Sequence, residues 1–281
     1  EEAPAIREHM RDEYLCSGEK IEVSLRVAEN ERRLLEKIDY KKGYSLYLGI
    51  PFCPTTCHYC SFTSFPLKGF GQWVEPYLDA LEKEIDAAST IFPERPLHTV
   101  YIGGGTPTTL TPEQLERVIT RVRERFDLSS CVEFTVEAGR PDSVTPEKLL
   151  KLKELGVDRI SINPQTMNQE TLQCIGRCHT VEQTIEAFYM ARKAGFTNIN
   201  MDMILGLPGE DKNHILDTLH YVNNEVLEQC IVTSYDTGKA KETVIYNMEK
   251  AKGMDPYEMF LSGTSALQVI ENPKASLEKE L

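Results

Sequence analysis

The stretch 44–60 most constrains how this chain folds. Its first seven residues alternate apolar side chains with small or polar ones and include several β-formers, which is typical of a strand. Pro51 and Pro54 cannot donate to a strand ladder, so the strand ends there in a loop. Three cysteines lie on this loop: Cys53, Cys57 and Cys60. Because ligands bind where strands of an α/β sheet end, this loop is the predicted chemical centre.

The spacing Cys-x3-Cys-x2-Cys can direct three thiolates at one point, since each loop residue adds only about 3.5 Å. Zinc would need a fourth ligand to complete a tetrahedron, which His58 or His179 could provide. An iron–sulfur cluster held by three cysteines would instead leave one iron open to a cofactor or substrate. A third interpretation is three unrelated buried thiols. The spacing favours the cluster and leaves the other two hypotheses open.

After residue 44, short β-rich segments alternate with helical ones, which predicts an α/β fold with a parallel sheet. Strands are predicted at 45–50, 98–102, 132–137, 159–163 and 198–204, with a sixth at 229–235. Helices are predicted at 73–88, 112–126, 146–155, 181–194 and 213–227. Thr111 and Thr145, each followed by proline, are predicted N-caps, and Gly156 and Gly195 are predicted C-cap glycines.

Composition limits the class of protein. Residues 1–42 are highly charged, and helical apolar spacing within 21–38 predicts a helical lead-in. A net charge of −13 argues against general binding to nucleic acid, which needs a basic surface. The sequence shows neither an apolar run long enough for a membrane span nor a secretory pattern, and its eight cysteines are too few for a disulfide scaffold. We therefore expect a soluble cytoplasmic protein.

The cysteine motif, with Tyr59 just before the last cysteine, resembles the signature of the radical S-adenosylmethionine (SAM) enzymes. The run from Tyr47 to Ile-Pro-Phe-Cys, and the later Gly-Gly-Gly-Thr-Pro-Thr at 103–108, resemble the oxygen-independent coproporphyrinogen III oxidase family. The segment 61–66 is most similar to its HemZ-type branch. The similarity extends from about residue 44 to about residue 209 and fails beyond Cys230.

This resemblance implies a fold and a division of the chain. The expected fold is a partial (β/α)6 radical-SAM TIM-like barrel, open on one side to admit a bulky substrate. The expected parts are an N-terminal helical extension at 1–42, a radical SAM core at 43–235 and an incomplete C-terminal accessory segment at 236–281.

The resemblance also implies cofactors and the residues that bind them. A [4Fe-4S] cluster is expected on Cys53, Cys57 and Cys60, with SAM at the open iron and a second SAM beside it. The implied SAM-binding residues are Tyr47, Tyr59, Gly104, Gly105, Thr106, Glu137, Gln165, Arg177 and Asp202. Of these, Glu137 is implied for the first SAM and Gln165, Arg177 and Asp202 for the second. Two simpler interpretations stay open: the glycine run as an ordinary tight turn, and Arg177–Asp202 as a structural ion pair. No residue is assigned as a catalytic acid, base or nucleophile.

The leading functional hypothesis from the resemblance is oxidative decarboxylation of two propionates of coproporphyrinogen III, with flavodoxin or ferredoxin as the electron donor. A heme chaperone of the same fold is the second hypothesis, and a radical heme methyltransferase is the third. Gly49 stands where the family has histidine, and Phe62 stands where the oxidases have a further cysteine, which favours the alternatives. Cys174 and Cys178 are interpreted as helix-packing thiols, with a second metal site as the alternative.

Overall fold

The computed structural model describes residues 3–225, 230–235 and 241–246. The strands are β1 (Tyr44–Ile50), β2 (Phe52–Cys53), β3 (Phe65–Pro66), β4 (Leu97–Gly104), β5 (Glu133–Glu137), β6 (Arg159–Ser161), β7 (Asn198–Asn200), β8 (Asp202–Leu205), β9 (Cys230–Tyr235) and β10 (Lys241–Tyr246). The helices are α1 (Ala3–Asp12), α2 (Gly18–Leu35), α3 (Leu67–Phe70), α4 (Val74–Ala88), α5 (Pro112–Arg125), α6 (Pro146–Glu154), α7 (Gln169–Cys174), α8 (Val181–Lys193) and α9 (Lys212–Glu225).

The principal sheet is parallel, and its strands lie in chain order, β1-β4-β5-β6-β7. Strand β8 follows β7 after the single residue Met201 and pairs in parallel with β9, which β10 joins in antiparallel. The predicted α/β fold with a parallel sheet is confirmed, and these strands form the wall of a partial TIM-like barrel. The sixth strand lies where the sequence predicts it, whereas the predicted accessory segment 236–281 lies outside the described residues apart from β10.

One predicted strand is divided in two, and its neighbour is shorter than expected. Strand β6 ends at Ser161 because Pro164 cannot donate to a ladder and Gln165 has a left-handed backbone, with φ at 66°. The amide of Asp202 instead donates to the side-chain oxygen of Asn163, at 3.2 Å. The ladder is therefore interrupted between β7 and β8, exactly beside the candidate site residues of that edge.

The two faces of the sheet differ in polarity. Its outer face packs apolar side chains such as Val100, Val136 and Ile160 under helices α4, α5, α6 and α8. Its inner face carries two rows of mostly polar residues across neighbouring strands: Tyr47, Tyr101, Thr135 and Arg159 in one, Glu137, Ser161 and Asn200 in the other. A closed barrel fills this space with branched apolar side chains. The polar inner face is suited to contact a polar ligand.

Local capping fixes where the helices begin and end. The side chains of Thr111 and Thr145 accept hydrogen bonds from the backbone amides three residues later, so both predicted N-caps are confirmed. Gly156 and Gly195 have φ of 81° and 94°, as predicted for residues that end helices in the left-handed region. These caps keep the βα loops short, and the loops therefore converge over one edge of the sheet.

The N-terminal lead-in is helical, as predicted, and consists of the two helices α1 and α2. Arg7 of the first helix forms an ion pair with Glu22 of the second, at 2.7 Å. In α2 the buried side chain is Ile21. Among the described helices, none has the length and apolar character that crossing a membrane requires.

The packing of α6 provides a matched test of the core. Leu149 is fully buried against the sheet, whereas its neighbour Leu150 is 51% exposed. We expect Leu149→Ala to lower the free energy of unfolding by about 2–5 kcal/mol, because it leaves a cavity. Leu150→Ala should change the free energy of unfolding by less than about 0.5 kcal/mol. Urea denaturation of both variants measures the difference, and equal losses would contradict this packing.

Candidate functional site

The cysteine loop is closed at its base by a short parallel ladder. Strand β2 (Phe52–Cys53) pairs with β3 (Phe65–Pro66), and the amide of Phe65 donates to the carbonyl of Pro51 at 2.7 Å. This pairing returns the chain to its starting point, so residues 54–64 form a compact loop at the carboxyl end of β1. Cys53 therefore lies in a short strand, where the sequence predicts loop.

The glycine loop that follows β4 docks directly on the cysteine loop. The amide of Gly105 donates to the carbonyl of Ile50 and the amide of Thr106 to that of Phe52, both at 2.7 Å. The hydroxyl of Thr106 lies 3.4 Å from the sulfur of Cys53. A Cβ on Gly105 would lie 2.7 Å from the Phe52 carbonyl oxygen and 3.0 Å from the Cys53 sulfur. Glycine is thus required at residue 105 for close approach, whereas Gly104, with φ at 103°, turns the chain.

The two loops enclose one open cavity with a volume of about 740 Å³, counted out to its mouth. All but one of the site residues implied by the sequence line it: Cys53, Cys57, Tyr59, Cys60, Gly104, Gly105, Thr106, Glu137, Gln165, Arg177 and Asp202. Phe62, which the sequence comparison singled out, also lines the cavity, and the lining residues that sequence reasoning missed are Thr55, Ser64, Gly139, Arg140, Asn163 and Ile204. Arg140 and Asn163 each follow the end of a strand, and this position could have predicted from the sequence that they belong to the site.

Tyr47 is the implied site residue that does not line the cavity. Its ring, 57% exposed, stacks on Tyr101 with centroids 5.8 Å apart and planes 12° apart. The hydroxyl of Tyr101 donates to Glu137 Oε1 at 2.6 Å. Tyr47 is therefore connected to the site through Tyr101, on the inner face of the sheet.

Glu137 is a partly buried carboxyl with a raised pKa. Burial and, to a smaller extent, the nearby Asp202 raise this pKa to about 7, against the opposing effect of the hydrogen bond from Tyr101. Near neutral pH this carboxyl is therefore partly protonated. The protonated form can donate a hydrogen bond, whereas the ionised form can only accept one.

Gln165 shows two features that point to a ligand. Its backbone is left-handed, which costs about 1–3 kcal/mol for a residue with a side chain. Its side chain is only 7% exposed, and in the described part of the chain its Oε1 has no hydrogen-bond partner. Hydrogen bonds to β8 hold this backbone, since Gln165 donates to the Asp202 carbonyl and accepts from Ile204, both at 2.9 Å. The orphaned oxygen is therefore held at the cavity wall.

Arg177 is buried and anchored to neutral acceptors. Its Nε donates to the Tyr59 hydroxyl at 3.1 Å, and its Nη1 donates to the carbonyls of Asn163 at 2.6 Å and Gly139 at 3.2 Å. Asn163 also donates through Nδ2 to Asp202, at 2.8 Å, so it connects the guanidinium to that carboxylate. Among the described residues Nη2 has no recorded acceptor, which leaves two N–H bonds for a ligand.

The thiols and imidazoles near the loop differ in their surroundings. Burial raises the pKa of the Cys53 thiol, while Cys57 and Cys60 are partly exposed. His58 and His179, on which the zinc hypothesis relied, lie outside the cavity lining. Burial, with Arg177 beside it, lowers the pKa of His179 to about 3, so this imidazole is neutral. Cys174 and Cys178 are exposed, so the interpretation of them as helix-packing thiols is wrong.

Glu137 predicts a pH dependence of stability. From about pH 4.5 to about pH 7 the folded state retains a proton that the unfolded state has lost, so stability falls as the pH rises. We expect Glu137→Gln, which keeps an acceptor for Tyr101, to remove this fall. The difference in unfolding free energy between the two proteins should change by about 3 kcal/mol across that interval and be flat above it. Denaturation at several pH values measures it, and parallel curves would contradict the assignment.

Comparison with known proteins fits this geometry. Residues 47–222 match the family model of the Radical SAM superfamily. The chain is 38% identical over 237 residues to the oxygen-independent coproporphyrinogen-III oxidase-like protein HemZ of Bacillus subtilis, covering 83% of this chain and 47% of that protein. It is 38% identical to the heme chaperone HemW of Bacillus subtilis, covering 73% of this chain and 53% of that protein.

A solved structure is also similar. The coproporphyrinogen III oxidase HemN from Escherichia coli superimposes with a TM-score of 0.64 at 29% identity, over 73% of this chain and 47% of that one. The chain spans about half the length of the curated relatives it matches. The family model, the relatives and the shared fold together show that this chain belongs to the radical SAM superfamily and is HemN-like within it.

Proposed function

We propose that this chain is a radical SAM enzyme that acts on a tetrapyrrole, with a [4Fe-4S] cluster on Cys53, Cys57 and Cys60. Membership of the superfamily implies the cluster and SAM as cofactors. The observation that carries the residue assignment is the single cavity, which unites the three cysteines with the glycine loop and the polar ends of β5, β6 and β8.

The residues of the cavity fit both cofactors. Three thiols around one cavity would leave one iron of a cluster available to SAM. When bound, the cluster and SAM supply a 5′-deoxyadenosyl radical by reductive cleavage of SAM, with a low-potential donor such as flavodoxin or ferredoxin as the electron source. The protein's part is to bind, orient and exclude water. The backbone of the glycine loop lines the cavity and would contact the methionine end of SAM. Glu137 also lines the cavity and would offer SAM a carboxyl group.

A second SAM site is part of the proposal. Gln165, Arg177 and Asp202 all line the cavity. Asn163 connects Arg177 to Asp202, and the amide of Gln165 donates to the Asp202 carbonyl. The free N–H bonds at Arg177 Nη2 suit a carboxylate, and the orphaned Gln165 Oε1 suits a donor such as an amino group. One ligand with both groups would satisfy both residues.

The proposed reaction is that of the coproporphyrinogen oxidases. The 5′-deoxyadenosyl radical takes a hydrogen atom from a propionate side chain. The resulting substrate radical releases carbon dioxide and gives one electron to an acceptor, which leaves a vinyl group. Two such steps convert coproporphyrinogen III to protoporphyrinogen IX. The specific support for this reaction is the similarity to HemZ of Bacillus subtilis, an oxygen-independent coproporphyrinogen-III oxidase-like protein.

A heme chaperone is the second candidate, because heme chaperones are also 38% identical relatives. Two local features bear on the choice. Gly49 leaves space on the inner face of β1 where the family has histidine, and Phe62 lines the cavity where the oxidases have a further cysteine. Neither residue can take part in proton transfer, so an oxidase of this chain must use other groups.

The cofactor assignment is tested by SAM cleavage. Protein reconstituted with iron and sulfide without oxygen, then reduced, should release 5′-deoxyadenosine from SAM. We expect Cys57→Ala to abolish this release, because a cluster ligand is lost. Cys131→Ala is the matched control, since its sulfur is half-buried, contacts the Glu133 carbonyl and lies outside the cavity. Release by Cys57→Ala at the level of the control would contradict the cluster assignment.

The substrate assignment is tested in the same reconstituted protein. Coproporphyrinogen III, SAM, a reductant and an electron acceptor should yield a product that has lost two carboxyl groups as carbon dioxide, detected by mass. Tight heme binding without a vinyl product would overturn the oxidase proposal in favour of the chaperone. A methylated, ring-opened tetrapyrrole would indicate the methyltransferase.

A further inference from the structure

Arg140 is a buried guanidinium shortly after β5 that lines the cavity beside the cysteine loop. It is only 2% exposed. Its Nε and Nη2 bind the two carboxylate oxygens of Asp142, at 2.9 and 2.8 Å, and Nη2 also lies 3.1 Å from Thr55 Oγ1. Its Nη1 binds the carbonyl and hydroxyl oxygens of Thr55, at 3.2 and 3.1 Å, and lies 3.6 Å from the sulfur of Cys57.

Every N–H bond of Arg140 thus has an acceptor within the protein. A buried cation is costly unless it is paired and fully hydrogen-bonded, and here both conditions are met. The guanidinium is therefore not available to bind a substrate carboxylate, in contrast to Arg177, whose Nη2 is free among the described residues. The role of Arg140 must lie in what it does to the loop and to Cys57.

The contacts of Arg140 are directional. Asp142 occupies the Nε–Nη2 edge, whereas Nη1 is directed at Cys57 and Thr55. The guanidinium therefore contacts the Cys57 sulfur directly through Nη1, while the compensating carboxylate lies on its other edge. Thr55 in turn donates to the carbonyl of Gly176, at 3.3 Å, on the segment that carries Arg177. The side chain of Thr55 thereby connects the cysteine loop to two neighbouring loops, the one that carries Arg140 and the one that carries Gly176.

Hydrogen bonds to the sulfur ligands of a cluster, and positive charge close to them, stabilise the reduced form of the cluster because that form is more negative. We propose that Arg140 is a positioning residue that holds the cysteine loop ready for the cluster and raises the reduction potential of the cluster through Cys57. This proposal rests on the cluster assignment made under the proposed function. It assigns Arg140 no contact with SAM or with the substrate.

The reduction potential is the decisive readout, because a purely structural role would not change it. Redox titration of the reconstituted protein, followed by electron paramagnetic resonance, should give a more negative potential for Arg140→Met than for the wild type. Arg140→Lys keeps the charge but not the fork, so its potential should lie between them. The control is Arg192→Met, which removes an arginine that donates to the carbonyls of Phe196 and Thr197, away from the cysteines.

Loop positioning has its own readout, which needs no cluster. The amides of His58 and Cys60 donate to the carbonyls of Ile175 and Cys57, at 2.9 and 3.1 Å. Hydrogen exchange of the metal-free protein measures how well these two amides are protected. Arg140→Met and the neutral change Thr55→Val should both speed exchange at these amides by about tenfold or more. Iron affinity should fall by roughly 10- to 100-fold in Arg140→Met, as for other residues that support metal ligands.

The outcomes separate this proposal from the cluster assignment. Wild-type protein that binds no iron–sulfur cluster would overturn both. A normal wild-type cluster, with the same potential in Arg140→Met as in Arg192→Met, would overturn the proposal for Arg140 alone. If Arg140→Met does not fold, Arg140→Lys and Thr55→Val decide: unchanged potential in the first together with unchanged exchange in the second overturns the proposal.

Discussion

The site depends on the docking of the glycine loop against the cysteine loop. Two short backbone hydrogen bonds, from Gly105 to Ile50 and from Thr106 to Phe52, hold the carboxyl ends of β1 and β4 together. This contact closes only if residue 105 lacks a side chain, because a Cβ there would overlap the Phe52 carbonyl. Without it, Cys53 would lose its neighbour Thr106, and the glycine loop would no longer form the cavity wall.

A second constraint is the division of the sheet into an apolar outer face and a polar inner face. The helices bury the outer face and supply the stability of the domain. The inner face then carries charged groups that would be costly in a packed core, and each has a partner there. Glu137 accepts from Tyr101, Arg159 pairs with Glu133 and donates to Asn200, and Asp202 accepts from Asn163 and Asn200. Among the unsatisfied groups of the described residues, Gln165 Oε1 and Arg177 Nη2 belong to side chains that line the cavity, and they mark the place of a ligand.

Sequence reasoning predicted the regular parts because their signals are local. The period of the strands, the Thr-Pro caps and the C-cap glycines depend on neighbouring residues, so these elements lie close to their predicted positions. The ladder β2–β3 escaped prediction because two-residue strands carry no periodicity. The interruption at Met201 also escaped, since it depends on Asn163, a residue 39 positions from Asp202 that bonds to its amide. Arg140 was missed for the same reason, because its importance comes from the distant Thr55 and Cys57.

The central claim is that the cavity holds a cluster with one iron open to SAM. The most direct measurement is the electron paramagnetic resonance spectrum of the reduced, reconstituted protein before and after addition of SAM, with iron and sulfide determined on the same sample. We expect about four iron and four sulfide per chain and a spectrum that SAM alters, because the proposed cluster leaves one iron without a cysteine ligand and open to SAM. Stoichiometric zinc without a paramagnetic signal, or a cluster whose spectrum SAM leaves unchanged, would contradict it.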